Sequence, residues 1–412
     1  MIIIHAMNNR PLPRLLGPVL ADHLRVMPAV FVTGPRQAGK STLVQQFPPA
    51  PRLYRTLDDM DTLAAAENDP SALLGGVAPI TLDEVQRAPQ LLPAIKQEID
   101  QDRIPGQYLL TGSANLLMMR QATESLAGRA SYLTLWPMTR REQLGQARAG
   151  FWEELLSAPE EDWEKTIDAR SKPTDWRELA RRGGFPTPAI ELPDAQSRAI
   201  WFEGFVRTYL ERDLRDLASI SSLPDFNRLM RITSHRLGQL VNQTELGRAV
   251  GLSQATVHRW LNLLETSYML VRLPAFSLNR SKRLIKAPKL YWADTGVALH
   301  LAGAPDPSGA HLENLVLMDL LAWSGTRSSR AELFYWRTVT GDEIDFVVEV
   351  DGRLLPVEVK STSRPQLADA AGLRSFRREY ADLATAGLLL HTGAATQWLT
   401  PDVLAVPWWR VL

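Results

Sequence analysis

The sequence predicts an α/β protein of several domains, and three observations support this. The chain has 412 residues, and at roughly 100 to 200 residues per domain this suggests about two to four domains. From about residue 28 to 135, short apolar strand-like runs alternate with helical segments, which is typical of a mostly parallel sheet. Mixed α/β character returns at 301–412, after a part of the chain with helical patterns.

Composition and charge exclude some classes of protein. Hydrophobic residues make up 45% and charged residues 22% of the chain, as in ordinary globular proteins. The 46 basic and 46 acidic side chains cancel, so nucleic-acid binding would need a local basic patch. The absence of cysteine excludes disulfide frameworks, thiolate zinc sites and cysteine nucleophiles. No stretch approaches the ~18 apolar residues of a membrane span, and we expect a soluble, cytoplasmic protein without membrane contact.

A phosphate-binding loop is the strongest functional signal. Residues 31–42 read FVTGPRQAGKST, which contains G-x-x-x-x-G-K-S directly after an apolar run and before a helical stretch. Backbone N–H groups of such a loop wrap phosphates, the lysine reaches the β and γ phosphates, and the serine ligates Mg²⁺. We therefore expect ATP and Mg²⁺ as cofactors. The predicted nucleotide contacts are Gly34, Pro35, Arg36, Gln37, Ala38, Gly39, Lys40, Ser41 and Thr42.

Two further strand ends complete the predicted ATPase site. The run PITLDE at 79–84 ends in Asp83, which would hold the Mg²⁺ shell, and Glu84, which would orient or deprotonate the attacking water. The run YLLTGS at 108–113 ends in hydroxyl side chains, and Ser113 is the predicted sensor of the γ-phosphate. With Lys40, these residues predict an ATP hydrolase.

The segments GPRQAGKST, TLDEVQ, LLTGS and ESLAGRA, in this order, resemble AAA-type ATPases. More narrowly, the chain resembles a prokaryotic family in which such an ATPase precedes a winged-helix and PD-(D/E)XK nuclease-like region. The resemblance implies a ring or a dimer in which one subunit donates an arginine to its neighbour's γ-phosphate. Arg129 is the candidate, with Arg212 or Arg215 as the alternative. A surface salt bridge is the competing interpretation for each of these arginines.

Residues 243–270 predict a helix-turn-helix. A short helix is followed by a turn through Gly251, a serine cap at Ser253 and a second helix. Val257, Trp260, Leu261 and Leu264 would point inward from that second helix. If it enters a DNA groove, the side chains that would face the DNA are Gln254, Thr256, His258 and Arg259. A module used only for packing or oligomer contacts remains the alternative.

A basic run without acidic residues follows at 279–289. Beside a helix-turn-helix, such a run favours phosphate contacts of nucleic acid. An ordinary solvated face is the alternative. The predicted contacts from this run are Arg280, Lys282, Arg283 and Lys286.

A second site is predicted at 341–360, which reads as two strands joined at an Asp-Gly turn. Glu358 and Lys360 lie two apart on one strand and project to the same face. Asp345 on the partner strand could join them, so that carboxylates gather Mg²⁺ while Lys360 stabilises charge. This resembles the PD-(D/E)XK nuclease core, which often adds an upstream glutamate, here Glu313. The alternatives are an exposed hairpin with ordinary charges and a nuclease-like fold that binds without cutting activity.

The predicted domains are a P-loop AAA-type ATPase core at 1–140, an insertion and helical lid or linker at 141–220, a winged helix-turn-helix at 221–290 and a nuclease-like domain at 291–412. The leading hypothesis is an ATP-hydrolysing AAA-type protein acting on DNA, including branched or damaged DNA in repair or recombination. The alternative is a nucleotide-dependent regulatory or antitoxin-like interaction protein without nuclease activity.

Overall fold

The structure is a computed structural model that describes residues 12–46, 52–75, 79–112, 126–167, 171–208, 220, 222–329 and 331–412. Ser113, Arg212, Arg215 and the side chain of Lys282 lie outside the described residues. Within the described ranges, no helix is both long enough and apolar enough to cross a membrane.

The N-terminal part is a five-stranded parallel sheet with the strand order β2-β3-β4-β1-β5. Successive residues of a strand face opposite sides, so Val30 and Val32 pack on one face while Ala29 and Phe31 pack on the other. Both faces are covered by helices, as a parallel sheet requires. The strands are β1 (Ala29–Thr33), β2 (Leu53–Thr56), β3 (Ile80–Asp83), β4 (Tyr108–Thr111) and β5 (Ala130–Thr134). The helices are α1 (Leu16–Val26), α2 (Lys40–Gln46), α3 (Met60–Asn68), α4 (Pro70–Leu74) and α5 (Leu91–Gln101), with a 3₁₀ turn at Val85–Arg87.

The segment predicted as an insertion and linker is built from short helices. Trp152, Trp163 and Trp176 begin three of these helices, and their rings are buried in one hydrophobic core with side chains of the C-terminal half. The segment is therefore part of the C-terminal packing unit. Its helices are α6 (Arg140–Gln143), α7 (Trp152–Ser157), α8 (Trp163–Thr166), α9 (Trp176–Arg182) and α10 (Ala195–Thr208), with a 3₁₀ turn at Glu160–Asp162 and a π turn at Thr187–Glu191.

Four helices and a two-stranded antiparallel sheet follow. Asn242 caps the second helix, Gly251 ends it in the left-handed conformation, and Ser253 caps the third. The four apolar side chains predicted to point inward from the third helix are buried, which confirms that prediction. The elements are α11 (Leu223–His235), α12 (Gln243–Val250), α13 (Gln254–Thr266), β6 (Leu270–Leu273), α14 (Arg280–Ile285) and β7 (Lys289–Trp292).

The C-terminal part contains a six-stranded mixed sheet with the order β12-β13-β11-β10-β9-β8. Its strands β9 and β10 are the predicted hairpin, and Asp351 and Gly352 form the turn with φ of 48° and 83°. The strands are β8 (Glu332–Arg337), β9 (Glu343–Val350), β10 (Arg353–Lys360), β11 (Gly387–His391), β12 (Gln397–Thr400) and β13 (Val403–Pro407). The helices are α15 (Thr295–Ala302), α16 (Gly309–Ser324), α17 (Ala371–Glu379) and α18 (Trp408–Val411), with a 3₁₀ turn at Leu367–Ala370.

The buried carboxylate of Asp294 joins two of these parts. One oxygen accepts the N–H of Val297 at 2.8 Å and so caps α15. The other accepts the N–H groups of Gly184 at 2.6 Å and Phe185 at 3.2 Å, in the turn after α9. Burial raises the pKa of Asp294, while the N–H bonds oppose that shift. Asp294 therefore fixes the turn after α9 against α15.

Replacing this carboxylate should destabilise the C-terminal unit. Asp294→Ala leaves three buried N–H groups without their acceptor, at about 1–3 kcal/mol each. We expect the free energy of unfolding in urea to fall by at least about 3 kcal/mol. The control is Asp306→Ala, which removes an exposed partner of Arg181 and should cost less than about 1 kcal/mol. Equal losses in both variants would contradict the role of Asp294.

Candidate functional site

The predicted phosphate-binding loop lies between β1 and α2. Gly34 and Gly39 have φ of 134° and 97°, a backbone region that favours glycine. A Cβ atom on Gly34 would also overlap the carbonyl oxygen of Leu135, which follows β5. The backbone can therefore wrap closely at this point only because Gly34 has no side chain.

Lys40 opens α2, and its side chain is only 4% exposed. Its ammonium donates to the carbonyl oxygens of Gly34 at 3.1 Å and Pro35 at 2.9 Å. A phosphate can reach this ammonium only by sharing or replacing those acceptors. Ser41 lies in the same first turn and is partly exposed. The loop and the helix start bring all nine predicted nucleotide contacts together.

The acidic strand end lies at the same edge of the sheet. Parallel strands end side by side, and open α/β sheets bind ligands beyond their carboxyl ends. Asp83 ends β3, is buried, and accepts hydrogen bonds from the hydroxyls of Thr111 and Tyr54. Glu84 adopts the left-handed conformation, and its N–H donates to Thr111 Oγ1 at 3.2 Å. Because β4 lies between β1 and β3, Thr111 sits between the loop strand and the acidic strand.

Tyr54 is a functional candidate that the sequence motifs did not reveal. Its hydroxyl donates to Asp83 Oδ2 at 2.8 Å and accepts from Gln45 Nε2, in α2, at 2.8 Å. Burial is the main cause that raises the pKa of Tyr54 to about 12, so it stays a neutral donor. A hydrogen-bonded chain thus connects α2 to the carboxylate of Asp83. Oxygen ligands such as Asp83 and Ser41 suit Mg²⁺, which would neutralise phosphate charge when bound.

Arg14 is a second residue that the sequence analysis missed. Its guanidinium donates to the carbonyl oxygens of Ala38 at 2.7 Å and Trp136 at 2.6 Å. It also pairs with Glu142 at 3.0 Å. Arg14 therefore holds the loop against the segment after β5. No local motif marks this residue, because its partners are distant in the sequence.

Arg129, the candidate arginine for a neighbouring subunit, lies at the opposite edge of the sheet. Its carbonyl accepts the N–H of Ala29, the first residue of β1, at 3.2 Å. Its guanidinium makes two hydrogen bonds to Asp100, at 2.5 Å and 3.0 Å. Arg129 therefore cannot reach the phosphate loop of its own chain, and its action on a neighbouring subunit remains a proposal.

The predicted DNA-facing residues of α13 largely lie on an open face. Gln254, His258 and Arg259 are exposed and Thr256 is partly exposed. The two ring nitrogens of His258 contact Gln243 at 3.3 Å and Asn262 at 3.1 Å.

The basic run is divided between surface and interior. Arg280 and Lys286 are exposed. Arg283 is 7% exposed, pairs with Glu349 at 2.6 Å and lies over the rings of Phe276 and Phe334. The charge of Arg283 is thus neutralised inside the protein in this structure, and the predicted phosphate contact would require Arg283 to leave Glu349.

The predicted nuclease-like residues gather in the C-terminal part. Asp345 on β9 accepts the N–H of Val359 at 3.0 Å, and Glu358 pairs with Lys360 at 2.5 Å. Burial, followed by the charge of Asp345, raises the pKa of Glu358 to about 8. The same two causes raise the pKa of Glu313, on α16, well above its usual value. The structure thus brings the four residues together in one cluster, with the carboxyl groups largely enclosed and Lys360 partly exposed.

Comparison with known proteins places the chain in a family. A model described as an AAA domain matches residues 27–144. Two models described as domains of unknown function, DUF8612 and DUF4143, match residues 173–308 and 308–411. The uncharacterized proteins Rv2008c of Mycobacterium tuberculosis and Mb2031c of Mycobacterium bovis are each 32% identical over 392 residues, covering 92% of this chain and 80% of theirs. The chain belongs to the same protein family as these two mycobacterial proteins.

The N-terminal part is thus an AAA domain, an ATPase domain of the P-loop type, which confirms that part of the sequence prediction. An uncharacterized protein of Haemophilus influenzae is 24% identical over 260 residues, which cover 61% of this chain and 58% of that protein. Among solved structures, the Walker-type ATPase paby2304 of Pyrococcus abyssi is 17% identical, with a TM-score of 0.45, over 71% of this chain and 99% of its own.

Removing Arg14 should loosen the phosphate loop. Arg14→Ala deletes the donors to Ala38 and Trp136, each bond contributing about 1 kcal/mol. We expect KM for ATP to rise roughly tenfold or more, with a smaller change in kcat. The control is Arg25→Ala on α1, where the exposed arginine pairs with Asp22 and lies away from the loop contacts of Arg14. Steady-state ATP hydrolysis measures both variants, and an unchanged KM for Arg14→Ala would contradict the positioning role.

Proposed function

We propose that this protein hydrolyses ATP with Mg²⁺ and uses the nucleotide cycle to act on DNA, including branched or damaged DNA. The observation that carries the ATPase step is the shared sheet edge, where a lysine-bearing loop meets Asp83 and Glu84. In this proposal, Lys40 binds the phosphates, Ser41 and Asp83 hold Mg²⁺, and Glu84 orients or deprotonates the attacking water. Such a site positions the phosphates and the attacking water, and it stabilises the charge that develops in the transition state.

Two further parts of the ATPase mechanism belong to the proposal. Ser113 would sense the γ-phosphate. Arg129 would act on the nucleotide of a neighbouring subunit in a ring or dimer, and this would require Arg129 to leave Asp100. Arg212 and Arg215 are the alternative arginines for that role.

The DNA-binding part of the proposal concerns α11 to β7, read as a winged helix-turn-helix. The capped turn before α13 and the open face of α13 support it. A contact with the ATPase domain supports the coupling to ATP. The hydroxyl of Tyr268, just after α13, lies 3.0 Å from Oγ1 of Thr33, the residue that precedes the loop. The ring of Tyr268 also packs edge-on against Trp136. A movement of the phosphate loop can therefore be transmitted through Thr33 and Tyr268 to α13, the helix proposed to face DNA.

The C-terminal part is proposed as a PD-(D/E)XK nuclease-like domain that contributes to DNA binding. The hairpin β9–β10 and the cluster around Asp345 and Glu358 support this fold. Whether such a domain cuts is a separate question from whether it binds.

A second candidate is a nucleotide-dependent interaction protein, regulatory or antitoxin-like, without nuclease activity. The burial of Arg283 favours it, since a cation of the basic run is withdrawn from the surface. In that case α13 and the C-terminal part would bind a protein partner.

The ATPase step is tested by Lys40→Ala. Loss of the ammonium removes charge stabilisation at the phosphates, and we expect kcat for ATP hydrolysis to fall at least about 100-fold. Lys165→Ala is the matched control, because this exposed lysine pairs with Asp162 away from the loop, and its turnover should stay unchanged. Full turnover by Lys40→Ala would refute the proposed site.

DNA binding is tested by fluorescence anisotropy with duplex and branched DNA over a range of salt concentrations. Arg280→Ala should weaken binding to all sequences and reduce the slope of log affinity against log salt by about 1, as expected for one lost phosphate contact. Arg25→Ala, which removes an exposed arginine on α1, should leave the slope unchanged. ATP hydrolysis without any DNA binding would favour the interaction protein instead.

A further inference from the structure

Lys289 is the first residue of β7, and its ammonium enters the cluster of carboxylates in the C-terminal sheet. The residue is 3% exposed. Its Nζ lies 3.1 Å from Asp345 Oδ1 and also pairs with the carboxylate of Glu343. The strand β7 pairs with β6 outside the six-stranded sheet, whereas both carboxylates lie on β9. Lys289 therefore belongs to the two-stranded sheet but places its positive charge among carboxylates of the six-stranded sheet.

Both partners of this ammonium are carboxylates, so the contact is an ion pair enclosed within the protein. A buried cluster of several carboxylates needs a nearby cation. Lys289 supplies one from within the chain, and Lys360 supplies a second beside Glu358.

The polar atoms of the cluster do not fit a divalent ion in this arrangement. A hard cation needs several free carboxylate or carbonyl oxygens directed at one point. Asp345 uses one oxygen for Lys289 and the other for the N–H of Val359. Oε1 of Glu358 accepts a hydrogen bond from Lys360. The other oxygen, Oε2, is buried without a hydrogen-bond partner.

We propose that the ammonium of Lys289 is the resident cation of this cluster and stands where a nuclease-like core would hold a divalent ion. The inference rests on the proposed nuclease-like fold for its functional meaning. In the arrangement described, the cluster fastens β7 to the C-terminal sheet and does not hold Mg²⁺. The nuclease-like domain then binds DNA without cutting it. A metal ion could enter the cluster only after a movement of β7 removes Lys289 from it.

The test measures Mn²⁺ binding to the full chain by isothermal titration calorimetry, without nucleotide or DNA. The variants are Lys289→Ala, Lys289→Arg, Asp345→Asn and the double variant of Lys289→Ala with Asp345→Asn. All are made in an Asp83→Ala background, so that the ATPase site contributes no Mn²⁺ signal.

Lys289→Ala should gain one Mn²⁺ site at least about tenfold tighter than any binding by the parent chain. Mn²⁺ should also raise the unfolding temperature of that variant, because a ligand stabilises the state that binds it. Lys289→Arg keeps the charge and should gain no site, and the double variant should lose the gain. Absence of a new site in folded Lys289→Ala would overturn the proposal.

If Lys289→Ala does not fold, the parent chain and Asp345→Asn decide the matter. Mn²⁺ binding by the parent that Asp345→Asn abolishes would overturn the proposal, whereas binding that Asp345→Asn leaves unchanged, or no binding in either, supports it. Because DNA and ATP are absent from these titrations, a failure of the DNA-directed function would leave their result unaffected.

Discussion

The nucleotide site depends on one constraint, the alignment of the carboxyl ends of the parallel strands. The strand β4 lies between β1, which leads into the phosphate loop, and β3, which ends in Asp83. Thr111 at the end of β4 can therefore donate a hydrogen bond to Asp83 beside the loop. Apolar side chains on both faces fix the sheet, and a shift of one strand would expose these faces to water. The hydrophobic packing of the sheet therefore also fixes the distance between the loop and the acidic pair.

Contacts between the parts of the chain are as specific as those within them. Arg14 connects the loop to Glu142, Tyr268 reaches the strand that precedes the loop, and Asp294 connects the turn after α9 to α15. The core of the C-terminal half also runs through the short helices of the middle segment. The ATPase domain is thus in direct contact with the helices that follow it, which gives a nucleotide-driven change a physical route.

Buried charge shapes the C-terminal half. Arg283 and Lys289 come from the basic run, yet Arg283 pairs with Glu349 and Lys289 pairs with Glu343 and Asp345. Breaking such a pair by removing one partner is costly, since it leaves an uncompensated buried charge. These pairs therefore hold the segment from β6 to β7 in one position against the six-stranded sheet, and they reduce the positive charge that this segment presents to solvent.

The sequence alone determined the features that depend on neighbouring residues. The glycines and Lys40 of the loop, the capped turn before α13 and the Asp-Gly hairpin are local, because backbone conformation there follows from residues a few positions apart. The sequence also indicated that Asp345 and Glu358 would meet, since the hairpin pairs their strands. Only the tertiary structure revealed the contacts of Tyr54, Arg14 and Lys289. Their partners are far away in the chain, and whether a basic side chain faces solvent or a buried carboxylate depends on packing that no local pattern records.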